Sequence, residues 1–111
     1  MEVKARQLKR VDLVEVSGRI DSATAPQLEA TLQAIMGQDR FRIVVDMQGV
    51  EYLSSAGLRV LVAALKQARR WNRGDIRLAN VPPRIQGVLQ LAGLDALFHS
   101  FDSAVDAVGS F

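Results

Sequence analysis

The sequence predicts an α/β domain built on a mixed, mostly parallel sheet, and three observations carry that prediction. Short β-branched runs alternate with segments of helical period about ten to fifteen residues long, the pattern of βαβ crossovers. The run Phe41-Arg42-Ile43-Val44-Val45 is short and apolar to its end, which suits a central strand covered on both faces. Two extended segments, 2–8 and 11–17, stand on either side of a tight connection at Lys9–Arg10 and read as a hairpin. With 111 residues, 49% hydrophobic and 23% charged, the chain is read as a single domain over 1–111 with one core. The expected order is β-β-α-β-α-β-α-(β)-α, with about four helices.

Each element has a local reason. The second segment, VDLVEVS, is β-branched and is expected to end at Gly18. Asp21 and Ser22 offer N-capping side chains, Pro26 suits a first helical turn, and Leu28, Leu32, Ile35 and Met36 share one face before Gly37 stops the helix. After the central strand, Asp46 is expected to close it and 47–53 to form a loop. A second helix then begins near Ser54 or Ser55, with Leu58, Leu61, Val62, Leu65 and Ala68 as its apolar stripe and Asn72 and Gly74 ending it. Ile76, Leu78 and Val81 suggest a strand barred from continuing by Pro82–Pro83. Residues 84–92 read as a third helix stopped by Gly93, 96–98 as a brief strand, and Asp102–Ser103 as the cap of a last short helix.

Composition narrows the function. There are no cysteines and one histidine, His99, so thiolate chemistry and a protein-only metal site are not expected, nor is any cofactor. The longest apolar run, Val60–Leu65, falls far below a membrane span, and the first ten residues hold no apolar leader, so the expected location is the cytoplasm. Net charge is +2 but segregated. Lys4, Arg6, Lys9 and Arg10 crowd the start, Lys66, Arg69, Arg70, Arg73 and Arg77 crowd 66–77, and 85–111 hold three aspartates with no Lys or Arg. Such patches steer an acidic partner and are weak evidence for nucleic acid.

The stretch 43–62, IVVDMQGVEYLSSAGLRVLV, is the most informative. A buried strand leads through a loop to two hydroxyls at the start of an apolar helix, where backbone N–H groups lack helical acceptors. Either serine serves as an N-cap. Gly57 costs helix stability, and its missing side chain would leave the helix N-terminus open to close approach by a backbone or a phosphate. In open α/β sheets, function gathers where strands end and helices begin, so the turn around Asp21 and the segment 47–57 are expected at the same end.

Three segments together resemble the STAS domain family, in particular its anti-sigma-factor antagonists: VEVSGRIDSATAPQLEATL at 14–32, IVVDMQGVEYLSSAGLRVLVAAL at 43–65, and IRLANVPPRIQGVLQLAGLDALF at 76–98. The resemblance implies a partner-switching protein that binds an anti-sigma factor, itself a serine kinase, and loses it on phosphorylation. It implies Ser55 as phosphoacceptor, with Ser54 as an alternative because it stands where the family often has Asp. It also implies a partner surface of Asp21, Ser54, Ser55, Gly57, Leu58 and Arg59. A serine phosphatase of the metal-dependent type would reverse the switch, in a protein that is monomeric or weakly dimeric and binds neither membrane nor DNA directly.

Other readings have less behind them. A serine hydrolase lacks the first glycine of a G-x-S-x-G elbow, and its base could only be His99. No phosphate-binding loop motif is present, although a helix N-terminus and the Arg69-Arg70-Trp71-Asn72-Arg73 stretch leave nucleotide or nucleic-acid binding open. In that stretch Trp71 is expected to pack partly against the fold. Within the resemblance, a scaffold subunit of a stressosome-like assembly is the alternative.

Overall fold

Strand order follows chain order in the computed structural model, which describes residues 1–111. One sheet runs β1 (Glu2–Gln7), β2 (Asp12–Ile20), β3 (Arg42–Leu53), β4 (Asp75–Ala79) and β5 (Ser100–Phe101). The β1–β2 hairpin is antiparallel, Glu2 opposite Ser17 and Gln7 opposite Asp12, and every other pair is parallel. The helices are α1 (Ala25–Met36), α2 (Ser55–Arg69), α3 (Pro83–Leu91) and α4 (Ala104–Gly109), with a 3-10 turn at Arg70–Asn72.

The core follows from the apolar faces. Val14, Ile20, Ile43, Val45, Ile76 and Leu78 meet Leu28 and Leu32 of α1, Leu61 and Leu65 of α2, and Ile85 and Leu89 of α3. On the opposite face Val11, Leu13, Val44 and Ala79 pack under Ala107 of α4. Successive residues Ile43, Val44 and Val45 thus serve two cores, which is why this strand reads as unbroken apolar sequence.

Four expectations change. β2 does not stop at Gly18: the glycine takes φ +86° inside the strand, and the chain continues to Ile20. Residues 47–53 are not a loop but the second half of β3. β4 pairs only with Arg42–Asp46, so this half has β2 as its one neighbour. Two register shifts against β2 each place an extra residue on β3, and Met47, Val50 and Leu53 face inward at a spacing of three. Bulges of this kind erase the two-residue alternation by which a strand shows in sequence.

The brief strand lies at 100–101 rather than 96–98. Phe98 is a core anchor, while the pairing with β4 is made by backbone, Leu78 N–H donating to the His99 carbonyl at 3.0 Å and Asn80 N–H to Phe101 at 3.0 Å. Finally, α2 ends at Arg69. Arg70 leaves the helical region at ψ 131°, and Trp71 and Asn72 both take left-handed φ, which turns the indole outward to 79% exposure instead of packing it. The last helix starts as expected, with Ser103 Oγ accepting from Asp106 N–H at 3.1 Å.

Candidate functional site at the start of α2

β2 and β3 end together. Ser54 N–H donates to the Ile20 carbonyl at 2.9 Å, which sets the turn after β2 beside the start of α2, at the same end of the sheet as the sequence implies.

The two serines have different surroundings. Ser54 is the N-cap, extended at φ −85° and ψ 171°, half-buried, and its Oγ accepts from Gly57 N–H at 3.3 Å. Ser55 opens the helix and is exposed, and its hydroxyl forms no hydrogen bond within the chain. The first turn carries no acidic residue, whereas the last turn holds Lys66 and Arg69. An anion at Ser55 is therefore favoured by the helix dipole and the unpaired N–H groups.

Gly57 does not open this surface. It is buried, and a Cβ there would stand 2.6 Å from Ile20 Cγ2 and 2.7 Å from Leu53 Cδ1. The glycine lets α2 sit down on the ends of β2 and β3, so it lies against the strand ends rather than on the exposed surface. Which way the first turn of α2 faces depends on where those two strands end, and the local sequence does not carry that.

Asp21 caps a turn ahead of α1 rather than the helix itself. Its Oδ1 accepts from Ala23 N–H at 3.0 Å, Thr24 N–H at 3.1 Å and the Thr24 hydroxyl at 3.1 Å, while Thr24 occupies the N-cap position. The Thr24 amide above all holds the carboxyl below its ordinary value; desolvation opposes it next, and the Thr24 hydroxyl, the Ala23 amide and the Arg19 charge add to the lowering. Oδ2 makes no hydrogen bond within the chain, so an ionised oxygen stays available beside α2. Tyr52 and Arg19 stack at the same end, 4.2 Å from guanidinium carbon to ring centroid, a pair the sequence does not reveal.

Leu58 is half-buried and Arg59 exposed, and Arg59 makes no ion pair. Arg59 borders two shallow grooves. One lies against Pro26 and Glu29 of α1, and the other is lined by Leu58, Val62, Lys66 and Leu94. Pro26, Glu29 and Leu94 join the site only through folding, and no local signal marks them. Asp46 lies within β3, where its Oδ1 accepts from Gln48 N–H at 3.1 Å and Asn80 Nδ2 at 3.2 Å, the organising role its residue type suggests. No three of the His, Asp and Glu side chains come together as a metal-ligating set. No helix is long and apolar enough to cross a membrane.

This architecture has relatives. A family model described as "Mlab, STAS domain" matches residues 3–99. The anti-sigma-B factor antagonist of Staphylococcus aureus is 37% identical over 87 residues, 78% of this chain and 79% of that protein. BtrV of Bordetella bronchiseptica, named as a candidate anti-sigma factor antagonist, is 34% identical over 96 residues, 86% of this chain and 82% of its own. A crystal structure of an anti-sigma factor antagonist from Mycobacterium paratuberculosis superposes with a TM-score of 0.87 at 28% identity, covering 98% of this chain and 92% of that one. A match over most of the length, carried by both sequence and fold, places the chain in the STAS domain family.

Proposed function

We propose that the protein is an anti-sigma-factor antagonist that acts by partner switching. Unphosphorylated, it binds an anti-sigma factor that is also a serine kinase; phosphorylation of Ser55 ends that binding, and a metal-dependent serine phosphatase restores it. The observation that carries this reading is the contrast between the two hydroxyls. Ser54 is engaged with Gly57 N–H, whereas Ser55 is exposed and unengaged on the first turn of α2. Relatives named as anti-sigma factor antagonists supply the partner class.

The physical consequence of modification is confined to the surface. A phosphate adds about −1.5 to −2 charges and three acceptor oxygens. The helix N-terminus tolerates that charge, so the fold stays intact. A partner packed over Ser55, Leu58 and Arg59 would have to desolvate the phosphate or oppose it, at a cost of about 2–5 kcal/mol, enough to dissociate it. The Asp21 carboxylate and the two grooves beside Arg59 complete the surface such a partner meets.

The test is phosphosite mapping by mass spectrometry on protein from its native cells, with a Ser55→Ala control. Phosphate on Ser55 that vanishes in the control is the expected result. Phosphate on Ser54 moves the acceptor by one residue. No phosphate during growth, starvation or stress overturns the switch and leaves a constitutive binding module.

A further inference from the structure

The other end of α2 presents a different surface. Three parts of the chain meet there: Arg10 ahead of β2, Arg40 and Arg42 at the start of β3, and Arg73 from beyond α2 line a cavity of about 360 Å³ that also holds Asp39. Arg40 is already engaged, paired with the buried Asp12 and donating to the Leu8 carbonyl at 2.8 Å. Arg73 is held in place, donating to the Gln67 and Arg70 carbonyls at 2.8 and 3.1 Å. Its guanidinium lies 3.8 Å from the Phe41 ring centroid and 5.1 Å from that of Trp71. Arg10 and Arg42 make no ion pair. Beside the cavity Trp71 projects into solvent at 79% exposure from a left-handed backbone, φ 57°, with Arg70 5.8 Å from its ring. A bulky residue held in that region is uncommon and marks a position worth explaining by function.

We propose that this pole binds single-stranded nucleic acid, with Arg10, Arg42 and Arg73 on the phosphates and a base stacked on Trp71. A guanidinium fixed by backbone carbonyls, as that of Arg73 is, suits phosphate oxygens, Arg10 and Arg42 add unpaired charge beside it, and a largely exposed indole offers a face to any base. An acidic protein segment fits less well. Its affinity would come from an apolar anchor in a pocket, and this cavity is lined by charges, with its one ring already covered by Arg73. α2 has 15 residues, so the pole lies about 22 Å from Ser55, beyond the screening length of about 8 Å at physiological salt. The two surfaces therefore act independently of charge at Ser55.

The experiment titrates labelled oligo(U) and oligo(dT) of about 12 nucleotides against the full chain at about 50 mM salt. It reads oligonucleotide anisotropy together with the emission of Trp71, the only tryptophan. The expected result is binding with indole quenching, by either or both sugars, weakened about 20-fold at about 200 mM salt if three phosphates are neutralised. Trp71→Ala is expected to weaken it roughly 5- to 150-fold, with Trp71→Phe partly retaining it. Arg10→Ala with Arg42→Ala should abolish most of the salt dependence while melting as the parent does. Ser55→Asp should bind as the parent does, so this proposal and the switch fail separately. No anisotropy change overturns the proposal, as does binding without quenching or a duplex that binds as tightly. Equal competition by poly-glutamate also overturns it, in favour of an acidic protein partner.

Discussion

The two ends of α2 are built on different physics. At the N-terminal end, the helix is seated by a hydroxyl cap and by a glycine against Ile20 and Leu53, and no ion pair takes part. At the C-terminal end the chain is held by charge. Arg69 Nε donates to Asp75 Oδ1 at 2.7 Å and its Nη2 to the Leu97 carbonyl at 2.8 Å, while Arg77 Nε meets Asp75 Oδ2 at 3.1 Å. Asp75 is buried beneath them and also accepts from Ile76 N–H at 3.0 Å. The lesson concerns where a charge switch can sit. Adding an anion at Ser55 disturbs no existing electrostatic contact, whereas a change of charge at Asp75 strikes the architecture itself.

Removing Asp75 should therefore cost most. Asp75→Ala leaves Arg69 and Arg77 without their carboxylate, and a loss of about 3 kcal/mol is expected in urea denaturation, the low end for a buried pair because both guanidiniums reach water. A loss under about 1 kcal/mol would mean that the charges there are not structural. At the opposite end, Gly57→Ala is expected to destabilise by about 1–3 kcal/mol through overpacking against Ile20 and Leu53, even though alanine is the better helix former. A stabilised variant would show that those side chains yield and that the glycine serves something other than packing.

The serines sharpen the contrast within one turn. Ser54→Ala should lose about 1 kcal/mol with its cap, while Ser55→Ala stays within about 0.5 kcal/mol, as thermal melts of the two variants would reveal. Equal losses would erase the distinction between a structural and an available hydroxyl. The smallest effect is at Asp21. Its pKa in the folded protein lies below the ordinary value of 3.8, so the stability it contributes is complete above that pH and is lost as pH falls through the folded value. Asp21→Asn should flatten this acid limb of the stability curve and leave stability near neutral pH independent of pH; an unchanged acid limb would mean that the turn does not hold the carboxylate ionised.

Much of the fold can be read from single segments. The apolar stripe Leu28, Leu32, Ile35 and Met36 and the stop at Gly37 identify α1, and Pro82–Pro83 marks the break before α3. The candidate site is partly legible for the same reason: paired hydroxyls before an apolar helix declare a helix start wherever they occur. What escaped was decided between segments. The second half of β3 hides because its bulges are set by pairing with β2, and Val62, one of the apolar stripe, proves to border a groove that Leu94, from beyond α3, lines with it.

By itself the sequence determined the alternation of strands and helices, the hairpin at the start, and the presence of Ser54 and Ser55 at a helix N-terminus. Those follow from local periodicity, backbone preference and capping, which act over a few residues. Only the tertiary structure decided that Gly57 faces Ile20 and Leu53, that Ser55 rather than Ser54 has an unengaged hydroxyl, and that Arg10, Arg42 and Arg73 share one cavity. Burial and exposure are properties of the surface a residue meets, and that surface is supplied by chain distant in sequence.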